Sequence, residues 1–302
     1  MHPLTLLLLH LAARVPLPLL HGCGVALGWL GWLIPNRNKT IARRNLELAF
    51  PDLAPAARRA LLRRTLIETA KAVLETPRLW LLPCAQALKL IREVHGQEVL
   101  DQAMASGRGV IVASPHLGNW ELWGLYLARH QLTALYRPPR KRAFEDLIRT
   151  ARERCGSILV PTDARGVRAL YQALGRGGII GILPDQDPRG EAGVFAPFFG
   201  VPAMTMTLLP RLAHKSGAQV IFTYAERLPW GRGFHVHFLP APDAINSADM
   251  ATAAAALNQG LEQCVRRVPE QYQWIYKRFR TRPQGEAPRY RKTKRRTKRR
   301  PS

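Results

Sequence analysis

The sequence predicts an α/β fold: a mostly parallel central sheet flanked by helices, with a hydrophobic membrane-anchoring helix at the N-terminal end. Three observations lead there. From Val110 onward, short β-branched runs alternate with segments of helical periodicity, the order that builds parallel strands with crossover helices on both faces. Polar and charged residues follow several of these runs, where open α/β sheets collect their functional groups. Finally, 302 residues with 47% hydrophobic content suffice for one sizeable core.

Taken in order, residues 4–34 are the most apolar stretch, interrupted by Arg14, Pro16 and Pro18. Residues 15–35 carry no Lys, Arg, Asp or Glu and are about long enough to cross a bilayer, although their glycines and prolines make an imperfect helix. A single span and an in-plane anchor both fit. A cleaved signal peptide fits worse, because no Lys or Arg precedes the apolar run and no small-x-small site closes it. Arg37, Lys39, Arg43 and Arg44 follow at once, and the positive-inside bias keeps what comes after them in the cytoplasm. Residues 1–35 are therefore expected to be a membrane anchor.

Residues 41–80 read as two helices separated by Phe50-Pro51-Asp52, the second presenting Arg58, Arg59, Arg63, Arg64 and Lys71 to solvent or to anionic lipid. Beyond Val110, strands are expected at 110–113, 132–136, 158–160, 179–183, 219–224 and 234–239, the last with His235 and His237 alternating outward. Helices are expected at 144–154, 167–174, 205–215 and 248–268. Residues 193–202 read as an apolar loop, either tucked on the core or lining a slot for an alkyl chain; Met204 and Met206 suit either use.

A formal charge of +24 points to an anionic partner, whether nucleic acid, a membrane face or an acidic protein. The tail concentrates it: from Lys277 to Arg300, 13 Lys and Arg stand against one acid. Residues 284–302 are expected to be a basic disordered tail. Cys23, Cys84, Cys155 and Cys264 lie far apart with no Cys-x-x-Cys spacing, suggesting neither a zinc site nor a disulfide framework and fitting a reducing compartment.

The stretch that carries chemistry runs from Gly109 to Glu121. Val110-Ile-Val-Ala113 ends in Ser114-Pro115, which leaves His116 just past a buried strand, and Glu121 opens an apolar helix. A hydroxyl becomes nucleophilic at neutral pH when a base takes its proton, and an imidazole held by a carboxylate is suited to that. On one helix, residues five apart are rotated by about 500°, roughly 140° off a shared face, so His116 and Glu121 can meet only if the chain bends. Gly118-Asn119 supplies residues that tolerate such a bend. The plainer alternative is a loop histidine beside a glutamate that favours the positive helix end. Arg137 and Arg140 follow the second strand, Arg154 closes a helix and Asp185 follows the strand at 179–183; arginines at one sheet edge suit phosphate or carboxylate.

These residues together resemble the bacterial lipid A late acyltransferases, the lauroyl and myristoyl transferases, within the lysophospholipid acyltransferase group. The likeness covers residues 4–283 and rests on Asn45-Leu46 with Phe50-Pro51, on His116-Leu-Gly-Asn-Trp-Glu121 and on Arg154-Cys155-Gly156. It also rests on Pro184-Asp185-Gln186, on Pro197-Phe-Phe-Gly200, and on Pro269-Glu-Gln-Tyr272 with Trp274 and Arg278-Phe279. The resemblance implies a glycerol-phosphate-acyltransferase-like domain over residues 36–283. His116 then stands as general base with Glu121 orienting it, and Arg154 and Asp185 match the other charged positions the family uses; Arg137, Arg140 and Asn119 are taken with them as substrate-binding candidates from their own places in the chain. The broader group usually has Asp where this chain has Glu121. The resemblance further implies acyl carrier protein as donor, a lipid A precursor as acceptor, anionic lipid around the enzyme and the cytoplasmic face of the inner membrane as its setting. No cofactor or metal is called for.

A relative acting on a lysophospholipid or another glycolipid would carry the same pair. A basic nucleic-acid-binding protein is the alternative of another class, disfavoured because the apolar N-terminus and the His116 stretch have no use on DNA and no recognised nucleic-acid motif is present.

Overall fold

The computed structural model describes residues 3–139, 142–188 and 193–290. Helices α1 (Pro3–Arg14) and α2 (Leu17–Leu33) are bent by 114° at the Pro16 break. No described helix is by itself long and apolar enough to cross a membrane. Helix α2 lies along α4 (Pro55–Leu81), preceded by α3 (Arg37–Ala49). The approach is close because α2 offers glycine there: a Cβ on Gly28 would fall 2.4 Å from the Ile67 Cα. Leu17 and Leu20 of α2 are buried against the protein, whereas Leu19, Leu27, Trp29, Leu30 and Leu33 on its other side are exposed.

After the short α5 (Cys84–Leu88) come β1 (Ile91–His95) and α6 (Gln97–Ala105), both outside the sequence expectation. Then follow β2 (Val110–Ala113), α7 (Trp120–Leu127), β3 (Thr133–Tyr136), α8 (Glu145–Glu153), β4 (Ile158–Pro161), α9 (Ala164–Gly175) and β5 (Ile179–Ile182). The apolar segment at 193–202 is not a loop but most of a hairpin, β6 (Gly193–Phe198) and β7 (Val201–Met206), turned at Phe199-Gly200. Strand β7 thereby takes the first residues expected of a helix, and α10 spans Leu208–Ser216. The chain closes with β8 (Gln219–Arg227), β9 (Phe234–Pro240) and α11 (Met250–Arg267).

The main sheet has the order β1-β9-β8-β2-β5-β3-β4, parallel at every pairing except β8 with β9. Strands β2 and β5 lie at its centre and are buried along their whole length, as β-branched runs without polar alternation require. Ile111, Ile180 and Ile182 pack toward Leu170 of α9, Leu209 of α10 and Leu257 of α11. Val110, Val112 and Ile179 face Leu79 of α4, Leu100 of α6 and Leu122 of α7.

Two expectations are corrected. Cys84 and Cys155, separated by 71 residues, form a disulfide, a pairing set by helix packing that no local spacing reveals. Residues 284–290, assigned to a disordered tail, fold back on the protein. The Tyr290 hydroxyl donates to Asn45 Oδ1 at 2.5 Å, and Arg289 offers its carbonyl to Arg44 Nε at 2.9 Å. Residues 291–302 lie outside the described residues.

Candidate active site

His116 stands in the loop that leaves the C-terminal end of β2. The bend expected at Gly118 is present: its φ is +59°, and a Cβ there would lie 1.9 Å from the Ala225 carbonyl oxygen, so only glycine fits. The loop is stitched on both sides. Asn119 N–H donates to Ala225 O on β8 at 2.9 Å, Gly118 N–H to Gln271 O at 3.1 Å, and Gln273 N–H to His116 O at 3.0 Å.

The carboxylate on the imidazole is that of Asp185, not that of Glu121. His116 Nδ1 lies 2.6 Å from Asp185 Oδ1, and the His116 backbone N–H donates to Oδ2 at 2.9 Å. The reason is topological. Strands β2 and β5 are parallel neighbours, so the residues just past their C-terminal ends emerge side by side. Asp185 is buried, which pushes its carboxyl pKa up, but the charge and hydrogen bonds of His116, with Arg278 nearby, outweigh burial and hold it below the ordinary value. With Nδ1–H committed to Asp185, the network assigns the lone pair to Nε2, which accepts from the Gln186 amide at 3.3 Å.

Glu121 occupies the first turn of α7, where both its oxygens are taken by Arg152 of α8, Oε1 by Nη2 at 2.6 Å and Oε2 by Nε at 2.9 Å. This bidentate fork is the strong form of such a pair. The hydrogen bond expected between His116 and Glu121 is therefore not formed. Both nevertheless line one cavity of about 370 Å³, together with Arg152, Arg137, Gln186 and Trp120. Its remaining wall is largely apolar, drawn from Leu132, Leu135, Leu159, Ile182, Leu183 and Met206. Among the described residues, none of 193–202 reaches it, since Phe198 and Phe199 are buried in the core.

The other expected positions divide. Arg137 is on the cavity wall, whereas Arg140 lies outside the described residues. Arg154 is turned away from the cavity: it donates to Leu82 O at 3.0 Å and also to the carbonyls of Leu79 and Ala151, clamping the end of α4. Asn119 is buried and donates to Glu75 Oε1 at 2.7 Å, so it holds the loop from behind.

That bond opens onto a buried charge network absent from the sequence expectations. Glu75 of α4 pairs with Arg227 of β8 and with His21 of α2 at 2.9 Å, while Arg227 also reaches Glu68 at 2.9 Å and Gly118 O at 3.3 Å. Burial alone would raise the Glu75 pKa, but Arg227 and His21 pull it down to about 2. Burial likewise disfavours charge on Arg227, yet Glu75 and Glu68 keep it firmly protonated. A buried charge left unpaired is costly, so this network fixes the loop's rear face. Glu75 shares its helix with Glu68, Lys71 and Arg78, so no local pattern marks it, and Arg152 stands only two residues before the conspicuous Arg154.

The profile of the family described as bacterial lipid A biosynthesis acyltransferase matches residues 3–281. The chain is 30% identical to the lipid A biosynthesis lauroyltransferase of Escherichia coli (strain K12), over 93% of this chain and 92% of that protein. It is 31% identical to the lipid A biosynthesis palmitoleoyltransferase of the same strain, again over 93% and 92%. With the lipid A biosynthesis myristoyltransferase of that strain the identity is 25%, over 87% and 82%.

Proposed function

Because the chain belongs to the bacterial lipid A biosynthesis acyltransferase family, we propose that it moves a fatty acyl chain from an acyl carrier protein thioester to a hydroxyl of a lipid A precursor, with His116 as general base. The observation that carries this reading is the Asp185–His116–Gln186 alignment, with His116 and Gln186 on the wall of a largely apolar cavity. The acceptor hydroxyl displaces the Gln186 amide and gives its proton to His116 Nε2. Its oxygen then bonds to the thioester carbonyl carbon. As the tetrahedral intermediate collapses the C–S bond breaks, the thiolate recovers the proton from the imidazolium, and an ester remains. Asp185, rather than Glu121, orients the ring and stabilises the imidazolium between these steps. Glu121 acts instead on Arg152, holding a guanidinium at the cavity wall where the oxyanion or an acceptor phosphate needs positive charge. Arg137 on the same wall serves the same anionic groups.

The apolar cavity wall accepts the acyl chain. The surplus of basic residues suits an acidic carrier protein and anionic lipid. The N-terminal segment fits an anchor lying in the membrane plane: α2, with 17 residues, spans only about 26 Å, short of the roughly 30 Å hydrocarbon core. Trp230, which is 84% exposed in the β8–β9 turn that packs on α2, adds to the exposed apolar surface. The basic residues after α2 support a setting on the cytoplasmic face of the inner membrane. Purified protein, acyl carrier protein thioesters and a lipid A precursor, followed by mass spectrometry, test the reading. One added acyl chain is expected from wild type and none from His116→Ala; transfer only to a lysophospholipid would replace the acceptor, and full transfer by His116→Ala would end the assignment.

A further inference from the structure

Three histidines on the edge strand β1 and its neighbour β9, outside the cavity lined by His116, take no part in this chemistry. His95 is the last residue of edge strand β1, and His235 and His237 alternate along β9. Register brings them to one face: His95 pairs with His237 and Glu93 with His235 across β1–β9, while Glu226 pairs with His235 across β8–β9. One nitrogen from each ring lies within 4.8 Å of the others. We propose that His95, His235 and His237, with Glu93, bind a divalent transition metal ion of the zinc type, clamping the edge strand to the sheet.

The distances suit such an ion. A tetrahedral site with bonds of about 2.0–2.1 Å sets its ligand atoms about 3.3 Å apart. His95 Nε2 already lies 3.2 Å from His235 Nδ1 and 3.3 Å from Glu93 Oε2. His237 completes the set, with one ligand nitrogen from each of the three rings inside the same 4.8 Å. His237 is prepared for the role: Glu226 Oε2 lies 2.9 Å from its Nε2, which fixes the proton there and leaves Nδ1 as the lone pair. The ring also stacks on buried Tyr224, with centroids 4.5 Å apart and planes 5° from parallel, so its orientation is set before any ion arrives. Two carboxylates beside three imidazoles give a dipositive ion a neutralising surround in an otherwise strongly basic protein. An imidazole-rich set with carboxylate support selects zinc, nickel or copper over magnesium or calcium.

Calorimetric titration of tag-free full-length protein in detergent with Zn²⁺ tests the site, with thermal unfolding as a second readout. Wild type is expected to bind one Zn²⁺ with micromolar or tighter affinity and to melt at a higher temperature when loaded. His95→Gln, an exposed and fold-tolerant change, and the His235→Ala/His237→Ala double variant should each weaken binding at least tenfold and abolish the thermal shift. Glu226→Gln, which touches no ion, should weaken it by about tenfold or more. Undiminished one-to-one binding in His95→Gln and in the double variant, or no binding by wild type at 100-fold excess over protein with Zn²⁺ held at about 100 µM, would overturn the proposal.

Discussion

Replacing Asp185 by Asn removes one charge and keeps the side-chain shape, so it isolates what the carboxylate does for His116. In the imidazolium stage the two charges stand about 4 Å apart, and at an effective dielectric constant near 20 their attraction is about 4 kcal/mol. At 1.36 kcal/mol per tenfold, that corresponds to a loss of about 10³ in kcat. An Asn amide that donates to Nδ1 would also force the proton onto Nε2 and remove the base, deepening the loss toward 10⁴. KM should change little, since the interaction strengthens only after proton transfer. The assay is steady-state acyl transfer from carrier-protein thioester, with circular dichroism confirming that the buried substitution leaves the fold intact. Glu121→Gln and Arg152→Ala are the controls, and each should lose about tenfold to hundredfold because they break the same fork. Their double variant should be no worse than either alone. If Asp185→Asn keeps activity within tenfold of wild type, Glu121→Gln loses 10³ and Arg152→Ala loses little, the carboxylate acting on the imidazole is Glu121 and the reasoning fails.

Other outcomes follow from the same contacts. The stabilisation from Glu75, whose carboxyl is held at about 2 against 4.5, amounts to about 3 kcal/mol; being a depressed acid, it is complete above pH 4.5 and lost as pH falls toward 2. Glu75→Gln should therefore cost about 3 kcal/mol in urea unfolding at neutral pH and flatten the acid dependence between 4.5 and 2; an unchanged acid limb would contradict this. Leu30→Asp with Leu33→Asp, both exposed on α2, should weaken partitioning onto anionic vesicles about 100-fold in a flotation assay, at about 1.5 kcal/mol or more per buried leucine. Deleting residues 291–302 should leave acyl transfer and melting temperature unchanged. By contrast Tyr290→Phe, which removes the hydroxyl that donates to Asn45 and accepts from Phe279 N–H, should lower stability by about 1–2 kcal/mol in the same unfolding measurement.

The sequence alone determined six of the seven strands of the central sheet and the location of its reactive loop, because these are written in local patterns. Val110-Ile-Val-Ala113 and Ile179-Ile-Gly-Ile182 are apolar runs of strand length, and Gly118 marks a bend that side chains forbid. His116 was legible for the same reason, since it directly follows a buried strand. Its partner was not. The order of strands in the sheet appears in no spacing, and that order sets Asp185, 69 residues away, against the imidazole while sending Glu121 to Arg152. Local pattern likewise could not say which polar groups turn inward: Arg154 and Asn119 read as ligand contacts and became internal braces, while Glu75 and Arg227, which no pattern singles out, form the buried brace of the loop. The hairpin at 193–206 and the Cys84–Cys155 link belong to this second class. Periodicity reports which face of an element is apolar, but a hydrogen bond or ion pair between distant elements depends on how those faces are stacked, and only the packed chain decides that.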